Sequence, residues 1–120
     1  MKILIAEDEA IMLAALERNL KLDGYDVIST SDGREALDQF HIHQPDLVIT
    51  DILMPYTSGL ELIGIVKSQA DRQVPVIVLS ALGQEGTVME AFNLGADDFI
   101  TKPFDPTELS LRVKRLLKST

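Results

Sequence analysis

The sequence contains no cysteine among its 120 residues, which excludes disulfides, zinc–thiolate centres and thiol catalysis. Basic residues are scarce: 11 Lys and Arg stand against 19 Asp and Glu, for a formal charge of −8. A surface of that sign repels nucleic acid, so any DNA-binding role would need another domain. The start of the chain offers one Lys, a short apolar run and then acidic residues, which is neither a signal peptide nor a membrane span. A cytoplasmic protein without membrane contact is the expectation. No repeat, linker or low-complexity segment interrupts the chain. What remains, 46% hydrophobic and 25% charged residues, fits one compact domain over residues 1–120.

Short apolar runs alternate with longer amphipathic ones. Strands are expected at Lys2–Ala6, Asp26–Thr30, Leu47–Thr50, Val76–Leu79 and Asp98–Thr101. The first helix reads as Glu9–Leu22, closed by the turn signal Asp23-Gly24. The second is Gly33–Phe40, with Asp32 as N-cap and Glu35 at the capping-box position. Ser58 and Glu61 form another capping box, opening a helix to about Ser68. Glu85–Leu94 is a helix closed by Gly95. Asp105, Pro106 and Glu108 start the last helix, which runs to about Leu117. Apolar strands alternating with helices imply a parallel sheet covered on both faces. With right-handed crossovers, the simplest topology is an α/β doubly wound, flavodoxin-like fold with strand order 2-1-3-4-5.

In such a sheet, ligands bind beyond the carboxyl ends of the strands, at the switch point between strands one and three. Glu7 and Asp8 follow strand one, Asp51 follows strand three, Ser80 follows strand four, and Lys102 and Pro103 follow strand five. Three carboxylates should therefore meet beside a hydroxyl and an ammonium. Close carboxylates repel unless a cation joins them. Oxygen ligands without sulfur or nearby histidine favour a hard ion such as Mg²⁺. A carboxylate nucleophile that forms an aspartyl-phosphate suits this setting, with Mg²⁺ and Lys102 offsetting the charge of the phosphoryl group.

Each residue also has a plainer reading. Asp8 caps the first helix, Glu7 is a solvated loop residue, and Asp51 forms an Asx turn before Pro55. Ser80 bonds backbone at a strand end, Lys102 is a surface lysine, and Pro103 stops the strand. Separate readings of this kind do not explain why all of these residues follow strands at one edge. His41 and His43 fall at the end of the second helix, away from that edge, and read as surface residues.

The stretches ILIAEDE, DLVITDILMP, VIVLSA and LGADDFITKPF resemble the receiver domains of two-component response regulators over the whole chain. Within that family the likeness is greatest to receivers of winged-helix transcription factors, so the chain is expected either to stand alone or to be the N-terminal part of a longer regulator. The resemblance implies that Asp51 accepts a phosphoryl group from a sensor histidine kinase or a phosphotransfer protein. It implies Mg²⁺ held by Asp8, Asp51 and the Leu53 backbone carbonyl, with Glu7 acting indirectly. Ser80 and Lys102 would contact the phosphoryl group, and Phe99 would turn inward when Ser80 moves. The Lys102-Pro103 bond is expected to be cis, a form found in about 5–6% of X–Pro bonds. A homodimer through the fourth helix, fifth strand and fifth helix is implied as well, with Asp97 and Asp98 meeting Arg112 or Lys114 across it. Against this, Glu85–Leu94 holds no Lys or Arg, and a solvated charged face is the more economical reading. Leu53 and Leu82 are apolar where some members carry polar side chains that position water, so slow self-dephosphorylation is expected.

Other classes fare worse. An aspartate-based phosphatase needs a second Asp two residues after the nucleophile; Leu53 stands there and cannot move a proton. A flavodoxin-like cofactor binder needs a Ser/Thr/Gly-rich phosphate loop after strand one; Glu7-Asp8-Glu9 would repel phosphate in the absence of metal. A receiver that works only by docking is disfavoured by the intact set of Glu7, Asp8, Asp51, Ser80 and Lys102. The chain is accordingly not expected to be a turnover enzyme, but to catalyse its own phosphorylation and dephosphorylation.

Overall fold

Apolar runs and amphipathic segments alternate without exception as β1 (Lys2–Ala6), α1 (Ala10–Leu22), β2 (Asp26–Thr30), α2 (Gly33–His43), β3 (Leu47–Asp51), α3 (Gly59–Lys67), β4 (Val76–Ser80), α4 (Glu85–Asn93), β5 (Asp98–Thr101) and α5 (Pro106–Lys118). The computed structural model describes residues 1–54, 58–69 and 71–118. Pro55 and Thr120 lie outside the described residues.

The strands form one parallel five-stranded sheet in the order β2-β1-β3-β4-β5, the expected flavodoxin-like arrangement. Side chains alternate across it. Leu4, Ala6, Val48, Val76 and Val78 face α2, α3 and α4, where they meet Ala36, Phe40, Leu62, Ile63, Val66, Val88 and Ala91. Ile3, Ile5, Leu47, Ile49, Ile77, Leu79 and Ile100 face α1 and α5 and meet Leu16, Leu20, Leu109, Val113 and Leu117. Burial on both faces is why β3 and β4 open with continuous apolar runs, Leu47–Ile49 and Val76–Leu79, rather than alternating.

Helix ends follow local chemistry. Asp32 and Ser58 accept hydrogen bonds from the backbone N–H groups of Glu35 and Glu61, at 2.8 and 3.2 Å. Thr107 N–H donates to Asp105 Oδ1 at 2.9 Å, so Asp105 caps α5. After α4, Gly95 adopts φ +113° while Gly95 and Ala96 N–H donate to Phe92 and Ala91 C=O, closing a Schellman motif.

Several boundaries differ from expectation. α2 continues past Phe40 to His43 because Gln44, rather than a glycine, takes the left-handed conformation (φ +47°) that ends the helix. Arg72 secures that turn by donating to the Gln44 and Pro45 carbonyls. At the start of α1 the N-cap is Glu9, not Asp8, and Glu9 makes no side-chain capping bond. The plainer reading of Asp8 as a helix cap does not hold: Asp8 sits one residue before the N-cap and is exposed. Among the described residues, no helix is long and apolar enough to cross a membrane.

Candidate functional site

The parallel register brings the strand ends to one edge. Ala6 of β1 pairs with Thr50 of β3, and Ser80 of β4 with Thr101 of β5. Glu7 extends β1 by one residue, its N–H donating to Thr30 C=O at 3.1 Å. Lys102 extends β5 likewise, its N–H donating to Ser80 C=O at 2.8 Å. Asp51 and Ser80 are the last residues of their strands rather than the first residues beyond them, and both are buried. The sheet, not a loop, therefore fixes these side chains.

One carboxylate oxygen each of Glu7, Asp8 and Asp51 lies within 4.8 Å of the others. Glu7 and Asp51 are buried, while Asp8 faces solvent at the mouth. Lys102 Nζ sits among them, donating to Asp51 Oδ2 at 2.8 Å and forming an ion pair with Glu7 Oε1 at 2.9 Å. The Glu7 contact is close but outside hydrogen-bonding angles, so this fully buried oxygen has no aligned donor. Glu7 Oε2 accepts from Glu9 N–H at 3.0 Å.

The electrostatics follow. Burial pushes the Glu7 carboxyl from 4.5 up to about 7; Lys102 and the Glu9 N–H pull it down, and the charge of Asp51 raises it further. Burial opposes the Lys102 ammonium, yet its bond to Asp51 and its ion pair with Glu7 outweigh that and hold its pKa above the usual lysine range. The ammonium therefore stays charged. One cation facing more than one carboxylate leaves a site short of positive charge, with a buried oxygen still seeking a partner. A hard cation fits that deficit.

Ser80 lies beside a concavity of about 300 Å³, lined also by Leu82, Val88, Met89, Phe92 and Phe99. Phe99 is 38% exposed and packs edge-on against Phe92, ring centres 5.9 Å apart. Leu53 and Leu82 are 59% and 95% exposed beyond the ends of β3 and β4. The Lys102-Pro103 bond is cis. His41 and His43 lie in the last turn of α2, apart from this cluster.

Asp98, for which the sequence left open a solvated face or an intermolecular partner, is buried and paired within the chain. Asp98 lies on the same face of β5 as Ile100, the face that packs on α5, so Arg112 reaches it with bonds of 2.8 and 2.9 Å and Arg115 with one of 3.1 Å. Burial opposes the charged Asp98 carboxylate, but the two arginines and the Phe99 N–H hold its pKa below the ordinary value. Asp97 points elsewhere, accepting from Lys67 Nζ at 2.9 Å and Val76 N–H at 2.8 Å. Lys114 is exposed.

Two residues of the site went unnoticed in the sequence. Glu9 Oε1 accepts from Lys102 Nζ at 3.2 Å. Gly59, the first residue of α3, packs against the end of β3 and donates its N–H to Ile52 C=O at 2.8 Å. A Cβ there would overlap Asp51 O and stand 2.8 Å from both Ile52 Cα and Ile52 O. A poor helix former at the first helical position was the available signal.

Residues 3–114 match the family model described as "Response regulator receiver domain". Over 119 residues the chain is 43% identical to "Probable transcriptional regulator ycf27" of Guillardia theta, covering 99% of this chain and 46% of that protein. It is 39% identical over 117 residues to "Alkaline phosphatase synthesis transcriptional regulatory protein PhoP" of Bacillus subtilis (strain 168), covering 98% and 48%. The chain thus spans about half the length of these curated relatives. Among solved structures, the signal receiver domain of a signal transduction histidine kinase from Syntrophus aciditrophicus superposes with a TM-score of 0.90 at 40% identity, covering 99% of this chain and 91% of that one.

Proposed function

Because the chain belongs to the response regulator receiver domain family, we propose that it is the phosphoacceptor switch of a two-component relay, with Asp51 taking the phosphoryl group from a phosphohistidine of a sensor kinase or phosphotransfer protein. The observation that carries this reading is the convergence of Glu7, Asp8 and Asp51 within 4.8 Å around the Lys102 ammonium. In the transfer, an Asp51 carboxylate oxygen forms the new O–P bond as the bond from phosphorus to the donor nitrogen breaks. That electron pair returns to the imidazole. Lys102, already 2.8 Å from Asp51 Oδ2, is placed to follow the charge onto the phosphoryl oxygens. Asp8, Asp51 and the Leu53 carbonyl would hold Mg²⁺, with Glu7 behind them. When bound, the ion supplies positive charge to the phosphoryl oxygens.

Phosphorylation adds roughly two negative charges at Asp51. Ser80 is then drawn towards the new oxygens, and the concavity it borders admits Phe99 from its exposed position against Phe92. The surface of α4, β5 and α5 changes as a shift between two packings. A homodimer that pairs Asp98 with Arg112 of a second copy would compete with the pair already made within the chain. We read residues 1–120 as one receiver domain, either standing alone or forming the N-terminal part of a longer regulator. The receiver is acidic, so any role in transcription would be exerted through another domain. Leu53 and Leu82 at the mouth lack groups to orient water, so the phosphoryl group should be lost slowly; Leu53→Asn should shorten its lifetime, and an unchanged lifetime would remove this role for Leu53. The function itself is tested by intact mass after incubation with acetyl phosphate and Mg²⁺. Wild type should gain one phosphoryl group and Asp51→Asn none; an adduct on both proteins, or on neither, refutes it.

A further inference from the structure

Glu9 occupies the N-cap of α1, where Ser, Thr, Asp and Asn are the effective cappers. Its side chain makes no capping bond. It reaches across the mouth of the site instead, where Oε1 accepts from Lys102 Nζ at 3.2 Å. Three carboxylates surround that ammonium: Asp51 at 2.8 Å and Glu9 at 3.2 Å accept hydrogen bonds from it, and Glu7 lies at 2.9 Å as an ion pair. Asp51 and Glu7 are buried, whereas the Glu9 side chain is 67% exposed. A site that gives up local helix stability for a longer-range contact marks a functional constraint.

We propose that Glu9 is a positioning residue that withholds Lys102 from an incoming phosphoryl group, and so sets how readily Asp51 is phosphorylated. The inference rests on Asp51 being the phosphoacceptor. During transfer from an acyl phosphate, the donor P–O bond breaks with its electron pair leaving on the carboxylate, and the Asp51 oxygen bonds to phosphorus. Lys102 must then serve the phosphoryl oxygens, and its bond to Glu9 competes with that. Glu9 holds by the longest and most solvated contact, and it is the partner released. Asp51 and Glu7 keep the ammonium in place without it. Glu9 therefore acts as a brake on the resting site rather than as part of the reacting group.

The test compares wild type, Glu9→Gln and Glu9→Asp, each as the whole 120-residue chain. Phosphorylation by acetyl phosphate with Mg²⁺ is followed by intact mass across donor concentrations, and melting temperature is measured alongside. Glu9→Gln removes the charge that holds Lys102. Glu9→Asp keeps the charge on a side chain one methylene too short to reach, and it is a better N-cap. Both variants should raise the limiting rate about two- to fivefold, the range an exposed ion pair carries. Glu9→Asp should also melt higher, so rate and stability part company as they would not if Glu9 were merely a helix cap. The inference is overturned if Glu9→Gln is no faster than wild type. It is equally overturned if Glu9→Asp matches wild type, since the charge alone would then matter. No adduct on wild type would sink the phosphoacceptor reading together with this one, whereas adduct formation at equal rates in all three proteins sinks this inference alone.

Discussion

Replacing Gly59 by alanine should damage both the fold and the site, although alanine is the better helix former. A Cβ at this position meets only backbone: it overlaps Asp51 O and stands 2.8 Å from Ile52 Cα and Ile52 O. No flexible side chain is available to give way, so either the end of β3 or the first turn of α3 must shift. Overpacking of this kind costs about 1–3 kcal/mol. The Gly59 N–H bond to Ile52 C=O at 2.8 Å would be strained or lost, worth about 1 kcal/mol more. Against this, alanine gains about 0.5–1 kcal/mol in a helix. The balance is a loss of about 1–3.5 kcal/mol, or about 4–14 °C in melting temperature for a chain of this size. Gly64 provides the control, because it lies in the same helix with nothing within 4 Å of an added Cβ. Gly64→Ala should gain about 0.5–1 kcal/mol. Urea unfolding of the three proteins decides the matter. If Gly59→Ala is as stable as Gly64→Ala, the close approach of α3 to Asp51 is not what requires glycine. The same shift displaces the Asp51 carboxylate, so phosphorylation of Gly59→Ala should be slower than its residual folded fraction accounts for.

Stability without metal should fall as pH rises from about 4.5 to 7. A carboxyl whose pKa is raised from 4.5 to about 7 on folding stabilises fully below the unfolded value and loses that contribution as pH climbs through the folded one. The effect is at most about 3 kcal/mol, and Glu7→Gln should flatten it; parallel urea profiles for the two proteins would show that Glu7 is not the titrating group. Asp98 has the opposite sign: its lowered pKa gives stability above 3.8 that disappears as pH drops through the folded value. Asp98→Asn should cost about 1–3 kcal/mol at neutral pH, at the lower end because Arg112 and Arg115 are partly solvated. Equal melting temperatures at pH 7 would mean that the arginines find equivalent partners elsewhere.

Strand identity was legible because β3 and β4 are buried on both faces and carry the uninterrupted apolar runs that such burial demands. The caps at Asp32 and Ser58 were legible because their chemistry is local. The convergence of Glu7, Asp8, Asp51 and Lys102 followed from strand order alone, since every parallel strand delivers its end to the same edge. Contacts set by side-chain reach across the fold were harder to read. Glu9 looked like a helix residue because its partner lies 93 positions away. Asp98 reads in the sequence as part of a solvated charged face or a dimer contact, although the period-two alternation of β5 with Ile100 turns it towards α5. The left-handed Gln44 that lengthens α2 has no glycine to announce it, and it is held by Arg72 from a distant loop.

The central claim is that Asp51 is the residue that carries the phosphoryl group, and locating the adduct tests it most directly. After incubation with acetyl phosphate and Mg²⁺, borohydride reduces an aspartyl phosphate to the corresponding alcohol, and tandem mass spectrometry of the peptides then locates it. A single reduced position is expected at Asp51, and it should vanish when Lys102 is replaced by alanine or Mg²⁺ is chelated. Reduction at Glu7, Asp8 or any other carboxylate, with Asp51 intact, would contradict it.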